Sequence, residues 1–230
     1  MTTITLRTSN STRSVLDMLL PAFERTSGHK VTVILDSAKP SLERIKAGER
    51  ADAAVLLGKS MDELAAMGIL DAASCQTFSR STIGIGVLKG APKPDISTVE
   101  AFKRTLLNAK SIAHTVHGPS GAYFPGLIKR LGIAAQVKPK TVTRPGGYIG
   151  VVVTAGEAEM AFQQICELRA VPGIEVVGPI PEEIQYNFDS KAAIFVESKN
   201  QVAAHELLKF FALPEHAQTF KAAGLAQLST

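Results

Sequence analysis

The sequence predicts an α/β protein of two lobes, each a mostly parallel sheet flanked by helices. Twice within the first 50 residues a strand is followed by a turn of small polar residues and then by an amphipathic helix. The same order recurs near residue 120, and a second series of strands begins near residue 82. Because such alternation is typical of βαβ units, helices are expected on both faces of each sheet.

The first third of the chain is predicted to contain three strands, at residues 3–8, 30–35 and 51–57. Ser9 and the polar residues after it supply capping groups for a helix whose apolar residues recur at helical spacing. Ser37 occupies a similar polar turn before the second helix, and a third helix is expected at residues 61–67.

The remaining elements define a second lobe and a helical tail. Strands are expected at residues 82–89, 137–143, 163–166 and 187–196, and helices at residues 99–109, 201–211 and 216–223. Stretches rich in Gly and Pro near residues 80–86 and 177–189 are expected to connect the lobes. The predicted lobes are residues 1–82 with 198–230, and residues 83–197. Two crossings predict a hinge, with a ligand cleft between the lobes.

Residues 112–132 are the most informative stretch of the chain. A short strand breaks at residues 118–121 and is followed by an apolar helical pattern. Since Pro125 fits only the first turn of a helix, the helix is expected to begin near residues 121–124. Ser120 and Gly121 would then lie where unpaired backbone N–H groups attract an anion. The alternative is that Ser120 is only an N-cap.

Composition excludes several functional classes. The 230 residues carry a net charge of +4, with Lys and Arg scattered among acids, so no nucleic-acid site is expected. No apolar run has the length of a membrane span, so no membrane insertion is expected. We find no metal-ligand or cofactor motif, and therefore expect neither. The N-terminus has no leader pattern, which predicts a cytoplasmic protein or a periplasmic one with its leader removed.

Four segments together carry a family resemblance: residues 37–53, 118–132, 155–162 and 203–218. Their order and spacing resemble those of the type II periplasmic binding proteins, in particular the molybdate-type solute-binding proteins of ABC transporters. The resemblance implies a two-lobed fold with two hinge crossings. It also implies a small anionic ligand and, if the protein is exported, an ABC transporter permease as partner. By position, the resemblance assigns ligand contacts to Ser9, Asn10, Ser37, Ser120, Gly121 and a side chain near Gln163.

Two differences from the molybdate binders favour a carboxylate ligand. Lys39 stands where these proteins keep a small residue, and Gln163 with Gln164 replaces a tyrosine. Ammonium and amide groups suit larger, planar carboxylates. Tyr123 completes the predicted ligand-binding set.

The resemblance extends to aconitate-isomerase-like members of the family, so an enzyme is the alternative to a binding protein. In an isomerase of an unsaturated polycarboxylate, Lys39 and His117 are the expected catalytic residues, with Tyr123 as a further candidate for proton transfer. A ligand-sensing module is a third interpretation.

Overall fold

The structure is a computed structural model that describes residues 1–228, and this range contains eleven strands. They are β1 (Thr3–Ser9), β2 (Lys30–Asp36), β3 (Ala53–Leu57), β4 (Gln76–Ser81), β5 (Ile83–Leu88), β6 (Ile112–Thr115), β7 (Thr141–Arg144), β8 (Met160–Gln164), β9 (Ile174–Pro179), β10 (Phe188–Ile194) and β11 (Ala226–Gln227).

Ten α-helices lie in the same described range. They are α1 (Asn10–Ser27), α2 (Ala38–Lys46), α3 (Gly58–Ala66), α4 (Val99–Asn108), α5 (Pro119–Arg130), α6 (Ala134–Val137), α7 (Gly150–Thr154), α8 (Ile165–Arg169), α9 (Gln201–Phe211) and α10 (Ala217–Ala222). Within residues 1–228, no helix combines the length and the apolarity that a membrane span requires.

The chain forms two compact units. Of the described residues, the first unit comprises 1–80 and 188–228, and the second comprises 81–187. The sequence-based boundaries lie at residues 82/83 and 197/198. β10 belongs to the first unit because it pairs antiparallel with β3, where Ser190 lies opposite Leu57.

The first unit is built on a six-stranded mixed sheet in the order β11-β4-β10-β3-β1-β2. β1 runs parallel to both β2 and β3, so the carboxyl ends of these three strands lie at one edge. The buried face of α1 consists of the residues predicted from helical spacing, Val15, Leu16, Leu19, Leu20 and Phe23. A second cluster that includes Ile45, Leu56 and Met61 belongs to the core of this unit.

The second unit is built on a five-stranded mixed sheet in the order β7-β6-β8-β5-β9. β6 runs parallel to its neighbours β7 and β8, whereas β5 is antiparallel to β8 and β9. Gly84 allows β5 to approach β9 closely, since a Cβ atom there would lie 2.5 Å from the Gly178 carbonyl oxygen.

Three secondary-structure predictions need correction. A strand was expected at residues 137–143. The structure has helical turns up to Lys140, which include Pro139, and the strand begins only at Thr141. The strand expected at residues 163–166 runs instead from Met160 to Gln164, after which α8 begins. β4 was not predicted because its sequence, QTFSRS, is largely polar.

Candidate functional site

The carboxyl edge of the first sheet brings two predicted ligand residues together. Ser9 ends β1 directly before α1, and Ser37 follows β2 directly before α2. Because β1 and β2 are parallel, with Ser9 opposite Asp36, both helix starts lie at the same edge. We call residues 9–12 and 37–39 the first edge. A crevice at the carboxyl ends of parallel strands is the usual ligand position in α/β sheets.

Ser9 and Ser37 do not cap the helices that follow them. Among residues 1–228, their side chains accept no hydrogen bond from the backbone N–H groups in the first turns of α1 and α2. The Ser9 hydroxyl instead lies 3.1 Å from that of Ser11, and Ser37 is exposed. The first turns of both helices also contain no acidic side chain. The N–H groups at these helix starts therefore keep their capacity to bind an anion.

Charges near the first edge are largely balanced. The Asp36 carboxylate, next to Ser37, lies 3.4 Å from Arg7 Nη1 and 3.7 Å from Arg44 Nη1. The Lys39 side chain is 73% exposed, and its Nζ lies 3.9 Å from Glu43 Oε1. Asn10 is half-buried at the first position of α1. Lys39 is thus an exposed, solvated cation of the first edge, since exposed ion pairs of this kind are weak.

The start of α5 differs from its prediction. The helix begins at Pro119, not near residues 121–124, and Gly118 is its N-cap. Proline is favoured at this first position because the missing N–H would have no partner there. Ser120, which is 1% exposed, therefore lies inside the first turn and is not the N-cap. The first intrahelical bond is donated by Ala122 to the Gly118 carbonyl, so the N–H groups of Ser120 and Gly121 have no acceptor within the helix.

Residues 116–121 and 145–149 are neighbours at the carboxyl edge of the second sheet. The N–H of Val116 donates to the Arg144 carbonyl at 2.8 Å, and that of His117 donates to the Pro145 carbonyl at 3.0 Å. We call these two segments the second edge. The His117 side chain is exposed. Residues 145–149 were not predicted from the sequence to belong to this edge. The Pro-Gly-Gly turn at residues 145–147 is the sequence feature that could have indicated it.

Gln163 lies beneath the second edge and is 2% exposed. Its Oε1 accepts a hydrogen bond from the Ile149 N–H at 2.8 Å, and its Nε2 donates to the Gly147 carbonyl at 2.8 Å. The amide predicted to bind ligand is therefore engaged with the backbone of residues 147–149. The neighbouring Gln164 is 1% exposed, and its Oε1 has no hydrogen-bond partner among the described residues.

Tyr123, another predicted ligand residue, is half-buried on α5. Its hydroxyl donates to the Ile184 carbonyl at 2.8 Å and accepts a hydrogen bond from Arg130. Its ring lies 5.4 Å from that of Tyr186. The hydroxyl thus joins α5 to residues 184–186.

His114 is a core histidine. It is 7% exposed on β6, its Nδ1 lies 2.9 Å from the Thr115 carbonyl oxygen, and its ring is 4.9 Å from that of Phe124. Burial lowers the pKa of His114, which the contact with the Thr115 carbonyl only partly opposes. No group of three or more potential metal-ligating side chains occurs within residues 1–228.

Helix α4, unlike α1, α2 and α5, begins with a side-chain cap. The Thr98 hydroxyl caps it by accepting a hydrogen bond from the Ala101 N–H at 3.1 Å, and Glu100 lies in its first turn. The first turns of α1, α2 and α5 have neither a side-chain cap nor an acid within the described part of the chain. The starts of α1, α2 and α5 are therefore open to an external anion, as is that of α3, which follows β3 at the same edge of the first sheet.

A profile of bacterial extracellular solute-binding proteins matches residues 4–226. This chain is a member of that family. A relative described as aconitate isomerase, from a Pseudomonas species, is 34% identical over 233 residues, which cover 97% of this chain and 87% of the relative.

Solved structures of similar proteins confirm the fold. The periplasmic molybdate-binding protein of Azotobacter vinelandii superposes with a TM-score of 0.81 at 18% identity, covering 99% of this chain and all of that one. The sulfate-binding protein of Mycobacterium tuberculosis superposes with a TM-score of 0.76 at 17% identity, covering 98% of this chain and 86% of that one. The expected two-lobed periplasmic-binding-protein architecture, with helices flanking each sheet, is therefore confirmed. The sheets, which were predicted to be mostly parallel, are both mixed.

Proposed function

We propose that this family member binds a small anion through backbone N–H and hydroxyl donors at open helix starts. The observation that carries the proposal is that α1, α2 and α5 begin at the carboxyl ends of parallel strands with neither a side-chain cap nor an acid in the first turn. The N–H groups and the dipole of each such helix favour negative charge at its start. The predicted ligand cleft stays a prediction, as does an ABC transporter permease as the partner of an exported protein.

The names of the similar proteins support an anionic ligand. The two structural neighbours are named for molybdate and sulfate, and the relative at 34% identity is named for aconitate, a carboxylate. Lys39 beside the first edge and the net charge of +4 suit an anion of either kind. Among these, we favour a carboxylate, because the relative with the higher sequence identity, 34%, is named for one.

The test is a panel of anions measured by calorimetry and thermal unfolding: molybdate, sulfate, cis-aconitate, trans-aconitate and citrate. A ligand at 100 times its dissociation constant should stabilise the protein by roughly 2.7 kcal/mol. Ser120→Ala should weaken binding about tenfold, since a hydrogen bond to a charged group contributes about 1.5 kcal/mol.

Thr98→Ala is the matched control, because it removes a hydroxyl that does cap a helix. It should lower stability and leave affinity unchanged. The absence of binding to every anion of the panel would overturn the proposal. If the Ser120→Ala variant binds with the same affinity as the unmodified protein, the Ser120 hydroxyl of the second edge does not contribute to anion binding.

The second candidate function is isomerisation of aconitate, which the 34% identical relative favours. The reaction would remove an allylic proton from the substrate and return a proton at the other end of the allylic system, so that the double bond moves. Backbone donors would stabilise the carboxylate charge, and Lys39 or His117 would carry the proton. Both side chains are exposed, whereas the Tyr123 hydroxyl is engaged by Ile184 and Arg130.

Proton NMR of cis-aconitate in deuterium oxide distinguishes the two functions. An isomerase would form the trans isomer with deuterium incorporated, and Lys39→Ala or His117→Ala would slow the reaction. Lys199→Ala and His205→Ala, which change exposed residues of the same types, should have no effect. Broadened ligand signals without turnover would establish binding alone.

A further inference from the structure

A buried arginine lies next to the first edge. Arg7 is 3% exposed on β1, and its guanidinium group forms ion pairs with two acids, Asp36 and Glu49. Asp36 is the last residue of β2 and is separated from α2 only by Ser37, whereas Glu49 follows the end of α2. One buried cation therefore contacts the residues at both ends of this nine-residue helix.

The carboxylate of Asp36 is an obstacle to anion binding at the first edge. Asp36 lies opposite Ser9 in the register of β1 and β2 and directly precedes Ser37, so it is adjacent to the starts of both α1 and α2. An uncompensated carboxylate there would repel a second anion and would itself interact with the positive ends of the two helix dipoles. An external anion can therefore bind at this edge only if the charge of Asp36 is compensated.

Two arginines compensate Asp36, and they differ in their exposure to solvent. Arg7 Nη1 lies 3.4 Å from Asp36 Oδ2, and Arg44 Nη1 lies 3.7 Å from the same oxygen. The Arg44 side chain is 55% exposed, so solvent weakens its interaction with Asp36. Because the guanidinium group of Arg7 is buried, where charges interact more strongly, Arg7 is expected to supply most of the compensation.

Unpaired hydrogen-bond donors lie in the same region. Arg7 Nε and Ser41 Oγ are buried, and neither atom has a hydrogen-bond partner among residues 1–228. Ser41 is fully buried one turn into α2, a helix that packs against β1, and its Cα–Cβ bond is tilted toward the open start of the helix. Since buried donors without an acceptor are rare in proteins, these two independently favour a ligand rich in acceptor oxygens at this helix start.

We propose that Arg7 is a positioning residue, which permits anion binding at the first edge by holding and neutralising Asp36. Arg7 acts through Asp36 and needs no contact with the anion. Without it, the carboxylate would compete with the anion for the same helix starts. This inference rests on the proposed function for the role of the edge, but its structural part, the coupling between Arg7 and Asp36, concerns the protein alone.

The first experiment measures the affinities of sulfate and cis-aconitate by calorimetry at low ionic strength. Arg7→Met should weaken binding about tenfold or more, because only the exposed Arg44 then faces Asp36. Asp36→Asn should strengthen binding severalfold. Asp36→Asn combined with Arg7→Met should restore the affinity to within about threefold of that of the unmodified protein, which a merely structural role of Arg7 would not produce.

Glu49→Gln is the matched control, since it removes the other acid that pairs with Arg7 but lies beyond the opposite end of α2. It should leave the affinity within about twofold. The inference is overturned if Asp36→Asn does not restore the affinity that Arg7→Met loses. If Arg7→Met does not fold, Asp36→Asn alone decides, and an unchanged or weaker affinity of that variant overturns the inference.

The second experiment measures urea unfolding of the unmodified protein, the two single variants and the double variant without any anion. Arg7→Met should lower the equilibrium constant for folding about tenfold or more, because it leaves Asp36 without its buried partner. Adding Asp36→Asn should recover part of this loss, whereas strictly additive effects would contradict the coupling. If the effects are coupled but neither anion binds to the unmodified protein or to Asp36→Asn, the coupling stands and the proposed function fails for these anions.

Discussion

At the residue scale, the packing around Gly121 explains why the second edge needs a glycine at this position. A Cβ atom at this position would lie 1.8 Å from the Thr115 carbonyl oxygen, a distance no side chain tolerates. The backbone of α5 can therefore start against β6 only because the residue is glycine. The hydroxyl of Ser120 and the N–H of Gly121 owe their positions to this close approach.

Gly121→Ala should therefore destabilise the protein by about 2 kcal/mol or more, because the clash is with backbone that cannot rotate away. Gly126→Ala in the same helix is the control, since its Cβ would meet only the end of Arg130 at 3.9 Å. It should stabilise by up to about 1 kcal/mol through helix propensity. Urea unfolding measures both, and an unchanged midpoint for Gly121→Ala would contradict the close approach.

Asp52 is a second residue whose role is set by its partners. It is 7% exposed and accepts hydrogen bonds from the Thr5 N–H at 2.7 Å, the Ser198 hydroxyl at 2.6 Å and the Asn200 amide at 3.2 Å. Burial acts to raise the pKa of Asp52, but the hydrogen bonds outweigh it and hold the pKa below its usual range. The ionised carboxylate thus joins β1 to the start of α9.

Asp52→Asn should cost about 2 kcal/mol at pH 7, the usual contribution of hydrogen bonds to a charged group. Because the pKa is lowered on folding, this stability is present above the unfolded-state value of about 3.9 and is lost as pH falls through the folded-state value. The stabilities of the two proteins should therefore begin to approach each other below about pH 4 and converge as pH falls through the folded-state pKa of Asp52. The exposed Asp17→Asn should behave as the unmodified protein at every pH.

At the element scale, α4 shows how a helix end is completed by a distant side chain. It ends without a glycine, and Lys140 Nζ donates to the carbonyl oxygens of Leu106 and Ala109, at 3.3 and 2.9 Å. A lysine in this place satisfies carbonyls that have no helical partner and complements the helix dipole. The helical turns before β7 bring Lys140 to this position, where an extended strand was predicted.

Lys140→Met should destabilise the protein by about 1 kcal/mol, because the carbonyl groups at the end of α4 lose their shared donor. The exposed Lys138→Met, two residues away, should leave stability within about 0.5 kcal/mol. Thermal unfolding at low and high salt measures the difference. Equal effects of the two substitutions would show that Lys140 does not cap α4.

At the scale of the whole molecule, Glu167 makes stability depend on pH. Its pKa is raised on folding, so its contribution is complete below the unfolded-state value of about 4.3 and is lost as pH rises through about 8. The free energy of unfolding should fall by up to about 1.4 kcal/mol per pH unit across this window.

Glu167→Gln should make the free energy of unfolding less dependent on pH. Urea unfolding of both proteins at pH 5, 6, 7 and 8 measures this dependence. The variant should be more stable than the unmodified protein at pH 8, because it carries no group that the unfolded state ionises. Parallel stability curves for the two proteins would contradict the raised pKa.

Much of the fold could be predicted from patterns of residues close together in the sequence. The helical spacing of apolar residues in α1, the alternation in β1 and the polar turns at Ser9 and Ser37 depend on neighbours in sequence. These patterns predicted the strands and helices that form the first edge correctly.

By itself, then, the sequence determined the α/β class, the principal helices and the polar turns that precede α1 and α2, because hydrophobic periodicity and capping act over a few residues. Only the tertiary structure decided that β10 pairs with β3, that the Gln163 amide holds residues 147–149, and that Glu167 is buried beside it. The physical reason is that pairing, burial and hydrogen-bond partners depend on groups far apart in the chain. Folding brings those groups together, and only then are their contacts defined.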